Sequence, residues 1–232
     1  MRKNILITGM PKSGKSTLLK KVISGLENKI GFVTNEVREN GERIGFEIET
    51  HLGEKSTLAS VNFQTDFRVS KFFVNVNNLD EMIPKVSEFN NENLLFLDEI
   101  GQMELFSENF KNLVLKYLDS PNTCIATIKV WDNEFIEQIK KRNDVILVEI
   151  TEENRDSKEK FITKLIGKIQ KAKRYASEPK RFLVKDDEVT ITTDHGEKHL
   201  KKIENEWCCD CGFFAENKIC SHLITFDECS KK

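Results

Sequence analysis

Through the first two-thirds of the chain, short apolar runs alternate with longer stretches whose apolar positions recur every three or four residues. That alternation marks β-α units laid on a mostly parallel sheet, and it predicts the α/β fold class. "NILIT" is the first strand, "GKSTLLKKVISGLE" the first helix, and "IGFVTNEV" the next strand. "RIGFEIETHLG" and "EKSTLASV" read as an extended hairpin inserted ahead of the following unit. "NLLFLDEI", apolar almost throughout up to Asp98, is a strand covered on both faces. A helix over residues 108–118, the strand "CIATI", a helix over 133–141 and the strand "VILVEI" complete the series.

After Thr151 a long helix carries Phe161, Leu165, Ile169 and Ala172 at helical spacing, as expected of the element that closes this domain by docking on the sheet. Its apolar face fades near Tyr175, among the cations Lys168, Lys171, Lys173, Arg174, Lys180, Arg181 and Lys185 and close to Pro179. The expected boundary lies there, with one domain over residues 1–174 and a small β/α module over 175–232. Within the module "RFLVK", "EVTITTD" and "KHLKKIENEW" predict short strands, followed by a short helix after Cys220.

A formal net charge of -2 provides no global basic field to drive non-specific nucleic-acid binding. Near the start only Ile5, Leu6 and Ile7 run consecutively before polar residues, and no later run is long enough for a bilayer. No membrane association and a cytoplasmic location are therefore expected. Five of the six cysteines crowd the tail as Cys208, Cys209, Cys211, Cys220 and Cys229. In a reducing compartment such clustering points to metal or redox chemistry rather than disulfides. Cys124, inside "TCIATI", reads as a small core residue.

"GMPKSGKST" matches G-x-x-x-x-G-K-[ST] between a strand and a helix, the context in which the pattern carries meaning. Gly9, Met10, Pro11, Lys12, Ser13, Gly14, Lys15, Ser16 and Thr17 would wrap a phosphate of a nucleoside triphosphate in backbone N–H groups, aided by the helix dipole. Lys15 would place an ammonium on the β- and γ-phosphates, and Ser16 would hold Mg²⁺. Phosphoryl transfer also needs a second group on the metal and something to aim the attacking oxygen. Asp98 and Glu99, at the end of their strand, suit those roles, and a glutamate in this position favours hydrolysis with water as acceptor. A nucleotide or nucleic-acid kinase, and an adaptor gated by ATP binding, are the alternatives.

Taken together, "GMPKSGKST", "IGFVTNEVRENGERIGFEI", "LLFLDEIGQMEL", "IATI" and "VEITEENRD" resemble the thermophile-type, or cancer-related, P-loop nucleoside-triphosphatases over about residues 3–170. The resemblance implies a Mg²⁺-dependent enzyme that hydrolyses nucleoside triphosphates to diphosphates with broad base tolerance. It implies Asp98 on the metal and Glu99 as base, and it aligns Glu36, Arg38 and Arg43 with a charged hairpin near the active site. The chain departs from the family after "IAT". Ile128, Lys129, Val130 and Trp131 stand where a His-Arg pair is usual, so Lys129 would act as a point charge in place of a planar fork. Arg142 and Arg155, after strand ends or at a helix start, are further cations expected to reach toward the nucleotide.

Zinc takes four tetrahedral ligands, and the C-x-C and C-x-H pairs of "CDCGFFAENKICSH" offer Cys209, Cys211, Cys220 and His222. Reduced or redox-active thiols without metal are the other reading, and Cys208 could replace Cys209 only by losing the C-x-C spacing. "WCCDCGFF" with "CSHL" resembles the SWIM-type zinc finger over about residues 180–229. That resemblance implies a structural Zn²⁺ and a recognition role toward DNA, RNA or a protein.

Overall fold

The computed structural model describes residues 1–130 and 133–230, so Trp131 lies outside the described residues. The chain divides into two compact units, one of Lys3–Glu159 and one of Lys160–Lys232 joined by Met1–Arg2.

The first unit runs β1 (Asn4–Thr8), α1 (Lys15–Ser24), β2 (Lys29–Glu39), β3 (Glu42–Thr50), β4 (Lys55–Ser60), β5 (Arg68–Val69), β6 (Phe72–Val74) and α2 (Val76–Ser87). It continues with β7 (Leu94–Ile100), α3 (Glu108–Asp119), β8 (Cys124–Ile128), α4 (Glu134–Lys140) and β9 (Val145–Glu149). All these strands join one sheet in the order β5-β6-β4-β3-β2-β7-β8-β1-β9. The expectation of a mostly parallel sheet is corrected here: the sheet is mixed. β2, β7, β8, β1 and β9 pair in parallel, whereas β2 to β6 pair antiparallel. The reason is that β2 is long. Its first half, Lys29–Val33, pairs with β7, and it then runs on past the parallel strands with β3 as its antiparallel partner out to Glu39.

β1 and β8 are buried at every position and β7 at all but Glu99, as strands covered on both faces must be. Around them Phe32, Leu97, Phe110, Val114 and Tyr117 belong to one apolar cluster. Each such fully buried side chain contributes roughly 1.5–3 kcal/mol of transfer free energy. The sequence reading missed α2, which begins where the Asn75 side chain accepts the backbone N–H of Asn78. It buries Leu79, Met82, Ile83 and Val86 at helical spacing. That spacing was available in the sequence, and Pro84 lies within the last turns of the helix.

α5 (Arg155–Ala176) runs through the division between the units, which falls ahead of the boundary expected near Tyr175. From Phe161 onward it holds tail elements. The Phe161 ring stacks on Phe213 at 6.2 Å, Thr225 Oγ1 donates to the Ala172 carbonyl, and the Tyr175 hydroxyl accepts the Asp194 N–H at 3.2 Å. The second unit adds β10 (Phe182–Lys185), β11 (Glu188–Thr193), β12 (Gly196–Ile203), β13 (Glu206–Cys209), α6 (Gly212–Asn217) and α7 (Ser221–Cys229). Its four strands form an antiparallel meander in sequence order. "KHLKKIENEW", expected as one strand, is a hairpin. Glu204 and Asn205 take φ of 47° and 68°, the left-handed pair that a tight two-residue turn demands. A small core of Tyr175, Val189, Ile191, Leu200, Phe214 and Leu223 includes Cys209, Cys211 and Cys220. No helix among the described residues is long and apolar enough to cross a membrane.

Candidate functional site

At the carboxyl end of β1 the chain curls tightly before α1. Ser13 N–H closes on the Met10 carbonyl at 3.1 Å, and Gly14, at φ 91°, turns the chain into the helix. A Cβ on Gly9 would lie 2.4 Å from the Ile150 carbonyl oxygen, and one on Gly14 would lie 2.8 Å from two atoms of Arg155. Both positions therefore require glycine. The Lys15 ammonium folds back over the loop, donating to the carbonyls of Gly9 at 3.0 Å and Met10 at 3.3 Å. The same ammonium stands 3.9 Å from Glu99 Oε1. These are the contacts of a lysine that can exchange backbone oxygens for phosphate oxygens.

One strand separates β1 from β7, and β8 supplies a residue between them. Ser16 Oγ donates to Asp98 Oδ1 at 2.9 Å, and Thr127 Oγ1 from β8 donates to the same oxygen at 2.5 Å. Asp98 Oδ2 is buried with no hydrogen-bond partner among the described residues. Burial raises the Asp98 carboxyl above the usual carboxylate range, against the opposing pull of the Thr127 and Ser16 hydrogen bonds. A buried, unpartnered carboxylate oxygen beside a serine hydroxyl is a donor set that suits a hard divalent cation. Thr127 went unread in the sequence because its role arises only from strand order.

Glu99 sits between two ammonium groups, Lys15 and Lys129, the latter 3.4 Å from Oε2. Lys129, the residue that breaks the family pattern, is thus at the site. Arg142 is not. It precedes β9, at the amino ends of the parallel strands, where it pairs with Asp144 at 2.8 Å and Asp119 at 2.7 Å; the phosphate loop follows the carboxyl end of β1. Arg38 and Arg43 each hold Glu36 at 2.6 Å on the exposed β2-β3 hairpin.

Glu104 was also missed. It lies buried in a short turn of 3-10 helix after β7, and its carboxylate crowds the same small space beside Gly101 as that of Glu99. Thr34 Oγ1 reaches it at 3.4 Å. Burial first, and the Glu99 charge second, push its pKa up to about 8 from 4.5. Between those values the folded chain holds a proton that the unfolded chain has released, so stability falls as pH rises through that window. Glu104→Gln keeps the shape and removes the titration. The urea midpoint of wild type is therefore expected to drop more than that of Glu104→Gln between about pH 6 and about pH 9; parallel profiles would contradict it.

In the second unit Cys209 ends β13, Cys211 caps the start of α6, Cys220 caps α7 and His222 lies in its first turn. Their four ligand atoms lie within 4.8 Å of one another. Cys209 Sγ is 3.5 Å from His222 Nδ1, and the Leu223 N–H donates to Cys220 Sγ at 3.4 Å. Hydrogen bonds from Cys209 and then Cys220 depress the Cys211 thiol below the usual thiol range. Cys208, the next residue back, and Cys229 lie outside this group. Of the cations around the expected boundary, Arg174 pairs with Asp194, and Arg181 with Glu178 and Asp194.

A sequence profile of the family described as "NTPase" matches residues 4–163. A nucleoside-triphosphatase THEP1 from Thermotoga sp. is 46% identical over 155 residues, 66% of this chain and 89% of the relative. The human cancer-related nucleoside-triphosphatase is 33% identical over 175 residues, 67% of this chain and 92% of that protein. The crystal structure of THEP1 from Aquifex aeolicus superposes with a TM-score of 0.65 at 35% identity, covering 70% of this chain and 98% of that one. The cysteine and histidine group lies beyond the family match.

Proposed function

The chain belongs to this NTPase family, and from that membership we propose that it hydrolyses nucleoside triphosphates to diphosphate and phosphate, with Mg²⁺ and with several bases accepted. The observation that carries the reading is the meeting of Lys15, Ser16, Asp98 and Glu99 at one end of the parallel strands.

The loop N–H groups from Gly9 to Thr17 and the start of α1 receive the β-phosphate. Lys15 releases the Gly9 and Met10 carbonyls and lays its ammonium on the β- and γ-oxygens. Ser16 and Asp98 would hold the magnesium ion, which when bound neutralises charge on those oxygens. Glu99 accepts a hydrogen bond from a water aligned with the γ-phosphorus and takes its proton as the new P–O bond forms. The bond from phosphorus to the β,γ-bridging oxygen breaks, and the diphosphate leaves. Lys129 holds Glu99 in place from the other side and adds a positive charge there.

Phosphate release from ATP, GTP, CTP and UTP with and without Mg²⁺ tests this. Release that requires the metal and spans the bases is expected. No release under any condition, or label transferred to an added nucleotide or nucleic acid in preference to water, overturns it.

For the second unit we propose a structural Zn²⁺ on Cys209, Cys211, Cys220 and His222, of the SWIM type. Supporting it are the convergence of one nitrogen and three sulfur atoms and the small size of the core they belong to. The zinc module would serve recognition of a nucleic acid or a protein.

A further inference from the structure

The two carboxylates of the site mark the γ-phosphate end, because Asp98 and Glu99 stand near the carboxyl end of β7. The strand order is β7-β8-β1-β9, so the loop after β1 has the reacting end of the nucleotide on its β7 side. The nucleoside must then leave on the opposite side, over the segment that follows β9. That segment is firmly built. The Thr151 N–H donates to Asn154 Oδ1 at 2.9 Å, and the Ile150 N–H closes on the Thr8 carbonyl at 2.9 Å.

Arg155 stands at its end, as the first residue of α5. Its Cδ and Nη1 both come within 2.8 Å of the point where a Gly14 side chain would begin, so the guanidinium occupies the space that this glycine leaves open. The ion pair it makes with Asp156 is long, 4.0 Å, to a carboxylate that is 84% exposed, while Arg155 itself is 38% exposed. A planar cation, partly exposed and held by one long ion pair, is thus laid against the phosphate loop.

We propose that Arg155 is the nucleoside-side wall of the nucleotide site, its guanidinium stacking on the face of the base. The proposal rests on the nucleoside-triphosphatase reading above and gives its base tolerance a physical source. Every base presents a π-face, whereas hydrogen bonds to base edges would discriminate. A contact to the phosphates is the competing role for an arginine here, and it makes a different prediction.

Arg155→Ala is expected to weaken ADP binding by about tenfold, and to raise KM for ATP, GTP, CTP and UTP alike, with kcat changed by less than about twofold. Affinity for inorganic tripolyphosphate, which has no base, should not change. Arg155→Lys should resemble the alanine variant, since it keeps the charge and loses the plane. Unchanged ADP binding in Arg155→Ala overturns the proposal. So does a loss of tripolyphosphate affinity equal to the loss for ADP, which would make Arg155 a phosphate clamp. Binding of ADP and tripolyphosphate is read without turnover, so an inactive wild type would sink the hydrolase reading and leave this test intact.

Discussion

Glu99→Gln is expected to lower kcat for phosphate release by about 10²–10⁴-fold while nucleotide affinity holds within a few-fold. The glutamine occupies the same volume between Lys15 and Lys129, 3.9 and 3.4 Å from the carboxylate oxygens, and it cannot take a proton from water. Lys15→Ala should behave differently. Its ammonium binds phosphate in the ground state and gains more as charge moves toward the bridging oxygen, so both affinity and kcat fall. Steady-state kinetics on the two variants, with ADP binding measured separately, tell the roles apart. A Glu99→Gln enzyme that retains more than about a tenth of wild-type turnover would show that the base lies elsewhere. Glu104 is a further carboxylate beside Gly101, and burial raises its pKa to about 8, so it holds its proton more firmly than an ordinary carboxyl and leaves Glu99 the better acceptor.

The parts of this site that could be read from the sequence are those confined to one contiguous stretch. The phosphate loop is legible because its glycines, lysine and serine act on one phosphate at fixed spacing, and Asp98 and Glu99 because they end an apolar strand. Glu104 follows Glu99 in the same stretch, and only the fold reveals its burial. Thr127 and Arg155 act across strands, and the sequence offered Arg155 only on a par with Arg142, as a cation that could reach the nucleotide. Thr127 meets Asp98 only because β8 lies between β7 and β1, and Arg155 meets Gly14 only because β9 borders β1 on the other side. No spacing along the chain encodes either neighbour. The same limit explains the sheet. Alternating strands and helices reveal the parallel half, but the length of β2, which turns the sheet mixed, depends on pairing with β3 beyond the end of β7. In the tail the left-handed turn at Glu204 and Asn205 was hidden because neither residue is glycine, although asparagine is a usual occupant of such a turn.

Removal of zinc should unfold the second unit, since the ion would join three elements whose shared apolar core is small. Cys209 anchors the end of β13, Cys211 the start of α6, and Cys220 and His222 the start of α7. Structural zinc in small folds contributes about 10–16 kcal/mol at neutral pH, more than a core of this size supplies. Trp207 is the reporter, packed edge-on against Phe226 with ring centroids 4.6 Å apart. With Trp131→Phe as background, a chelator is expected to release about one zinc per chain and to shift Trp207 emission toward that of exposed indole. Cys220→Ser should abolish tight zinc binding, since its sulfur also accepts the Leu223 N–H that opens α7. Cys208→Ser and Cys229→Ser should retain the metal, because neither sulfur belongs to the cluster. Zinc lost from Cys208→Ser and kept by Cys209→Ser would move the ligand set by one residue. Trp207 emission indifferent to the chelator, with no metal bound to the wild type, would return the cluster to three reduced thiols and an imidazole packed in a small core.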